Sequence, residues 1–425
     1  MSFRIEKDSI ADAISTNTIN ALSAYNSTPD VFSLYYFGAK GDGVTDDTSA
    51  LERAFQAASE NPWLVISFPP GTFLVRGTLQ VPAKTTLQGQ GGVIRALPAQ
   101  TVDQQILFRT DADDVSIQDV SFDGSLVSDS FGGVFIFFKG TGARVQYRRN
   151  RFFNIPAQTD PSQQFTAMLL DNENAMIEGN YIVGGGGDLI GCNSGFFSVV
   201  GNYLENSENG GVAFNNSATG IISGNKIVRC FFGIGIGPMG NTSDADKLQD
   251  GIIIQGNELT NCRIGIDLGW FDFVGRTSPS SVTISSNVIK GSYKGIAYDG
   301  NGITNASINI VGNDILSLGK DQSFWGYPSD GEGIRFLGGG ASIVSNIITG
   351  CYTNSVTAIH VGGENIVVSS NMITGNTFEG NNFLVGISSQ TISYAVVSTN
   401  LVRGATTGLL GSIAPTAEYL ANNIQ

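Results

Sequence analysis

The sequence predicts an all-β chain: a right-handed, single-stranded parallel β-helix, a solenoid of stacked coils with a capping α-helix near its N-terminus. Three observations predict it. A short motif built on asparagine recurs from the middle of the 425-residue chain to its end. A second family of short apolar strands interleaves with it. A strand, a glycine-rich turn and a helix precede both. Repetition at about 20–50 residues marks a solenoid, in which each repeat packs only on its neighbours.

The first motif reads apolar-x-small-Asn-x-apolar. Its asparagines are Asn150, Asn180, Asn202, Asn225, Asn257, Asn287, Asn313, Asn346, Asn371, Asn400 and Asn423, spaced 22 to 33 residues apart. An apolar residue stands three positions before each of them. Another stands two positions after, except in the last copy, where Gln425 takes the place. The preceding residue is usually Gly or Ser, and Asp119 in SIQDVSF reads as an earlier copy with Asp for Asn. Asparagine tolerates left-handed backbone and bonds nearby peptide groups, so it can turn a strand through a corner. Stacked coil on coil, its amides can also bond along a ladder. These asparagines are therefore read as architecture.

The second family reads GVAF (211–214), GIGI (233–236), GIDL (265–268), GIAY (295–298), GIRF (333–336) and AIHV (358–361), with AMLL (167–170) in the same register. Alternation sends Ile234, Ile266, Ile296, Ile334 and Ile359 inward. The residues between them point outward. Two strand families per repeat with no helical pattern between them imply parallel stacking by coiling.

Cys230, Cys262 and Cys351 each lie five residues after a motif asparagine, so they should share one position of the coil. With Cys192 they form no CxxC pair, and reduced, packed thiols are expected.

The chain carries 23 Lys and Arg against 37 Asp and Glu, a formal net charge of −14. That argues against nucleic acid and against an anionic membrane surface as partners. No run approaches ~18 apolar residues, so no membrane insertion is expected. The N-terminus, MSFRIEKDSIADAIS, lacks a basic stretch followed by an apolar one, so no export signal is expected.

Residues 36–92 open with YFGAKGDGVTDDTSALERAFQAA, a strand, a turn and a helix whose Leu51, Ala54, Phe55 and Ala58 fall on one face. Asp42, Asp46 and Asp47 look like catalytic carboxylates but are expected to cap the helix and shape the turn. VISFPPGTFLV and TLQVPAKTTLQGQGG follow as strands. Over about 55 residues this segment resembles the pectate-lyase-like right-handed β-helix superfamily, which includes polysaccharide lyases, epimerases, glycosidases and bacteriophage tailspikes. The resemblance implies a helix that covers the open first coil. It fixes fold better than function. Residues 1–34, with Ile10, Ala13, Ile14, Ile19 and Leu22 on one helical face, are expected to be an adaptor or oligomerisation segment, and residues 35–425 the β-helix domain.

In this fold class substrates lie across an outward strand face. The outward positions of the second strand family bring Asp267, Asp299 and Arg335 together over three consecutive coils, with small neighbours. Asp267 and Asp299 are one coil apart and offset by two residues, so ~4.8 Å across and ~6.6 Å along, or roughly 8 Å between backbones. Inverting glycosidases hold their carboxyls ~6.5–9.5 Å apart. Three long loops, 237–250, 269–280 and 317–332, converge on the same place and carry Trp270, Phe271, Trp325 and Tyr327. Asp267, Asp299 and Glu332 are therefore the candidate catalytic residues. Trp270, Asp272, Trp325, Tyr327 and Arg335 are the candidate substrate-binding residues. His360, the one histidine, is expected at the surface without a role. No metal or cofactor is expected.

The polygalacturonase patterns NTD, GHG and RIK and the epimerase DPH run are absent. The resemblance most favours a trimeric phage tailspike, a virion protein that binds a bacterial surface polysaccharide and cleaves it by glycoside hydrolysis. An extracellular bacterial polysaccharide lyase or hydrolase, or a non-catalytic adhesive β-helix, are the alternatives.

Overall fold

The structure, a computed structural model, describes residues 30–98, 104–127, 133–157, 164–237, 250–269, 279, 281–299, 306–318, 331–351, 356–375, 383–413, 418–419 and 423–424. The chain is a right-handed parallel β-helix. One coil shows the plan. Strands Ser281–Ser285, Val288–Lys290 and Lys294–Asp299 follow one another around the solenoid. Each pairs in parallel with its counterpart in the preceding coil (Ile252–Gln255, Glu258–Thr260, Ile264–Leu268). Each also pairs with its counterpart in the next (Ser307–Val311, Asp314–Leu318, Glu332–Leu337). The asparagine motif, expected as a strand turned through a corner by the asparagine, is thus two strands that meet at that corner.

The bend is made by the residue before the asparagine. That residue is left-handed in successive coils: Gly224, Gly256, Ser286, Gly312 and Ser345 have φ between 56° and 63°. This explains the glycines at the position, since a side chain there is strained, as it is at Arg149, Ser286, Ser345 and Thr399. The asparagine itself holds the coils together. Asn257 donates its backbone N–H and its side-chain amide to Oδ1 of Asn287 at 3.0 and 2.9 Å. Asn287 does the same to Asn313. Each side-chain amide also donates to a carbonyl of the coil below, Asn287 to Ile254 at 3.0 Å. The ladder asparagines from Asn150 to Asn400 are buried.

The ladder corrects two expected copies by one residue. Val120, not Asp119, donates its N–H to Oδ1 of Asn150, and Asp119 is the left-handed corner residue. At the other end Asn423 pairs with Leu401, the residue after ladder Asn400, and Ile424 pairs with Val402. Asn423 is therefore outside the ladder, and the apolar position two residues on from the true register is Ile424 rather than Gln425. The cysteines sit where expected: all four are buried free thiols, Ser207 pairs with Cys230, and Leu318 pairs with Cys351.

The helix Thr48–Glu60 buries Ala50, Leu51, Ala54, Phe55, Ala57 and Ala58 against the first coils. The three acids before it are structural. Asp47 accepts the Lys40 and Gly41 N–H groups at 2.6 and 3.1 Å. Asp46 accepts the Thr48 N–H, and Asp42 closes its own turn through Val44 and Thr45. The sheet begins at Val31–Ser33, which pairs with Val65–Ser67, so three residues of the segment read as a separate adaptor belong to the β-helix sheet. Residues 1–29 lie outside the described residues.

Candidate functional site

Three strands carry the site. Ile264–Leu268, Lys294–Asp299 and Glu332–Leu337 are stacked in register with Thr357–Ser369 above them. One outward row reads Gly235, Asp267, Ala297, Arg335, His360 and Ser388. A parallel row reads Phe232, Ile264, Lys294, Glu332 and Thr357. Glycines lie between them. A Cβ on Gly265 would stand 2.6 Å from the Gly295 carbonyl oxygen, and one on Gly295 would stand 2.4 Å from that of Gly333. These glycines face the core together with the isoleucine that follows. Residues i and i+3 consequently meet on the outer face, which is how Glu332 reaches Arg335.

The result is an ionic cluster shielded from water. Glu332 lies 3.1 Å from Lys294 Nζ, 3.1 Å from Arg335 Nη1 and 2.7 Å from His360 Nδ1. Side-chain exposures are 5% for Lys294, 13% for Glu332, 19% for Arg335 and 12% for His360. Burial alone would raise the Glu332 carboxyl, but the His360 hydrogen bond and the charges of Lys294 and Arg335 outweigh it and hold the group at about 2. Glu332 is therefore an anion throughout the neutral range and cannot act there as a proton donor.

The protonation of Nδ1 follows from the contacts. Arg335 Nη1 stands 3.4 Å from His360 Nδ1, and a guanidinium can only donate. A bare Nδ1 at 2.7 Å from a carboxylate oxygen would set two acceptors against each other. Nδ1 therefore carries a proton and donates it to Glu332. Nε2 is enclosed and has no hydrogen-bond partner among the described residues.

Of the expected site residues, Glu332 and Arg335 are brought together. Asp267 lies on the same face, but it is 2% exposed rather than open to solvent, beside the buried outward residues Phe232, Ile264 and Ala297. Asp267 pairs with Ala297 and Asp299 with Leu337, which gives the one-coil, two-residue offset. Trp270, Asp272, Trp325 and Tyr327 lie outside the described residues. His360 is not a bystander at the surface, because Glu332 binds it. Lys294 was missed. Its signal was present in the sequence as KGI at 294–296 below EGI at 332–334, opposite charges in one register one coil apart. Arg263, buried with its guanidinium 4.4 Å from the Phe231 ring, was also missed.

Toward the N-terminus the face is floored by Gly191, Ala213 and Gly235. Gly235 is buried, and among the described residues a Cβ on it would meet only Phe232 Cβ, at 4.0 Å, on the outward side of the strand. Asp188 borders this floor. Its carboxylate accepts the Gly210 N–H at 2.9 Å, and burial pushes it up to about 6. Among the described residues no three His, Cys, Asp or Glu side chains converge as metal ligands do, and no helix is long and apolar enough to cross a membrane.

Comparison with known proteins places this geometry in context. The model of the family described as rhamnogalacturonase A/epimerase, pectate lyase-like, matches residues 31–267. The match stops at Asp267, before Lys294, Glu332, Arg335 and His360. The preneck appendage protein of Bacillus phage PZA is 42% identical over 55 residues, 13% of this chain and only 6% of that protein's length. The bacteriophage CBA120 tailspike protein 3 superposes with a TM-score of 0.62 at 14% identity, over 95% of this chain and 62% of that one. The Dettilon tailspike protein gives 0.58 at 17% identity, over 97% of this chain and 71% of that one. At these identities the two structural likenesses speak to the fold.

Proposed function

Starting from the chain's membership of the rhamnogalacturonase A/epimerase, pectate lyase-like family, we propose that it is a tailspike-type protein of a phage tail. It binds a bacterial surface polysaccharide along the outward face of coils 264–388 and cleaves it by glycoside hydrolysis. The observation that carries this reading is the register of Asp267 and Asp299 beside the Glu332 cluster. Two carboxyls one coil apart suit hydrolysis: one protonates the leaving oxygen while the other activates water. Glu332, fixed as an anion, does not donate the proton; it orders Lys294, Arg335 and His360. Arg335 contacts the sugar chain, and Trp270, Asp272, Trp325 and Tyr327 supply stacking and polar contacts from the loops. Assembly as a homotrimer and attachment through residues 1–34 to a tail component complete the proposal.

The test uses purified bacterial capsule and O-antigen polysaccharides and follows reducing ends. Asp267→Asn and Asp299→Asn should each abolish release while leaving binding. Gly235→Trp should block binding, because the position lies on the outward row and its added ring crowds that face rather than the core. Full release by both asparagine variants would overturn the catalytic assignment. Binding without any release by the wild-type protein would make it an adhesin. Absorbance from an unsaturated uronate would indicate elimination in place of hydrolysis.

A further inference from the structure

We propose that Glu332 and His360 form a recognition subsite, separate from the cleavage point, in which His360 Nε2 makes a hydrogen bond with a hydroxyl of the bound polysaccharide. The inference rests on the reading that the sugar chain occupies this face, and it deepens that reading by naming what is recognised and where.

Three observations carry it. The first is direction. Glu332 accepts the hydrogen bond from Nδ1 at 2.7 Å, which fixes the ring and leaves Nε2 as the nitrogen that can bond a ligand. The second is that Nε2 has no partner among the described residues, although it is enclosed. Leaving such a group unsatisfied is costly, and a ligand hydroxyl removes that cost. The third is position. Along the outward row Asp267 and Ala297 are buried, whereas Arg335, His360 and Ser388 are partly exposed, Arg335 at 19% and His360 at 12% of the side chain. The row is therefore nearer the surface at His360, three coils beyond Asp267, or about 14 Å along the solenoid axis.

That separation exceeds one sugar ring, so the same polysaccharide runs along the axis and touches both points only when it is long enough. A site that hydrogen-bonds a substrate hydroxyl also rejects a chain that lacks it, because the buried nitrogen is then left unpaired. Glu332 acts as the positioning residue: it orients the imidazole and does not itself touch the sugar.

The experiment measures affinity on the full chain, with fragments of graded length from whichever capsule or O-antigen polysaccharide the wild type binds. His360→Leu keeps the side chain's bulk and removes its nitrogens. It should weaken binding of long fragments about tenfold and leave the shortest bound fragments unchanged. His360→Gln, whose amide reaches toward the Nε2 position, should recover most of the loss. Equal affinity of His360→Leu and wild type at every length overturns the subsite. So does an equal loss at every length, or a loss that His360→Gln does not recover. If Asp267→Asn and Asp299→Asn cleave normally while the length-dependent loss persists, the cleavage assignment fails and the subsite stands. If Gly235→Trp binds as tightly as wild type, or no polysaccharide in the panel binds, the sugar is not on this face and the subsite falls with it.

Discussion

His360 Nδ1 lies 2.7 Å from Glu332 Oε1, and the two residues come from adjacent coils, 28 positions apart in sequence. The same carboxylate holds Lys294 and Arg335, so one anion fixes three basic side chains on a face that is otherwise small and apolar. Removing its charge leaves the cations facing one another in a shielded place. Glu332→Gln should lower the melting temperature at pH 7. The folded carboxyl titrates at about 2 against an ordinary value of 4.5. Its contribution, on the order of 3 kcal/mol, is present above pH 4.5 and lost as pH falls toward 2. The gap between Glu332→Gln and wild type should therefore close across that window. Thermal melts from pH 7 to 2.5 read it, and a gap that does not change with pH refutes the role.

Asp188 should behave in the opposite sense. Burial raises its folded carboxyl to about 6 from 3.8, so the folded state binds the proton more tightly. Its contribution is full below pH 3.8 and lost as pH rises through 6. Asp188→Asn keeps an oxygen for the Gly210 N–H and carries no charge. It should stabilise the protein at pH 7.5, by up to about 3 kcal/mol, and do little at pH 4. Denaturant midpoints at the two pH values decide the matter.

The ladder predicts a large local penalty. Asn287→Ala removes the oxygen that accepts two donors of Asn257 and the amide that serves Ile254 and Asn313. Several buried groups lose their partners together, and the cost should exceed about 3 kcal/mol. Equilibrium urea unfolding measures it. A loss below about 1 kcal/mol would mean that the coils are held by apolar stacking alone.

The corner residue predicts a gain. Ser286 and Ser345 have φ values of 56° and 57°, where a side chain is strained. Ser286→Gly and Ser345→Gly should each stabilise by about 0.5–1 kcal/mol, the strain relieved less the added flexibility of the unfolded chain. The converse test is Gly256→Ala. Its Cβ would meet nothing within 4 Å, so any destabilisation reports the backbone angle and not a clash.

Much of this was legible in the sequence. The positions of Ile266, Ile296 and Ile334 on one inward row and the shared position of Cys230 and Cys351 follow from register, and register follows from a repeated motif. The corner was read one residue late. Asparagine is known for left-handed backbone, yet here the preceding Gly or Ser takes that angle and frees the asparagine side chain to bond the next coil. The errors at Asp119 and Asn423 have the same origin, because a motif match does not say which of two adjacent residues bends. Lys294 was overlooked because it precedes the GI pair, and simple alternation does not reveal that two inward residues in succession return it to the outer face.

The sequence by itself determined the solenoid, its period, the inward rows and the candidate face, because strand alternation and coil stacking depend on local pattern repeated at near-constant spacing. Only the tertiary structure decided that Asp267 is enclosed, that Glu332 is an anion tied to Lys294, Arg335 and His360, and that Nε2 of His360 has no hydrogen-bond partner among the described residues. Those facts depend on which long side chains meet across adjacent coils and on what shields them from water. Coils are joined by loops of unequal length, so neither is encoded in the spacing of the residues along the chain.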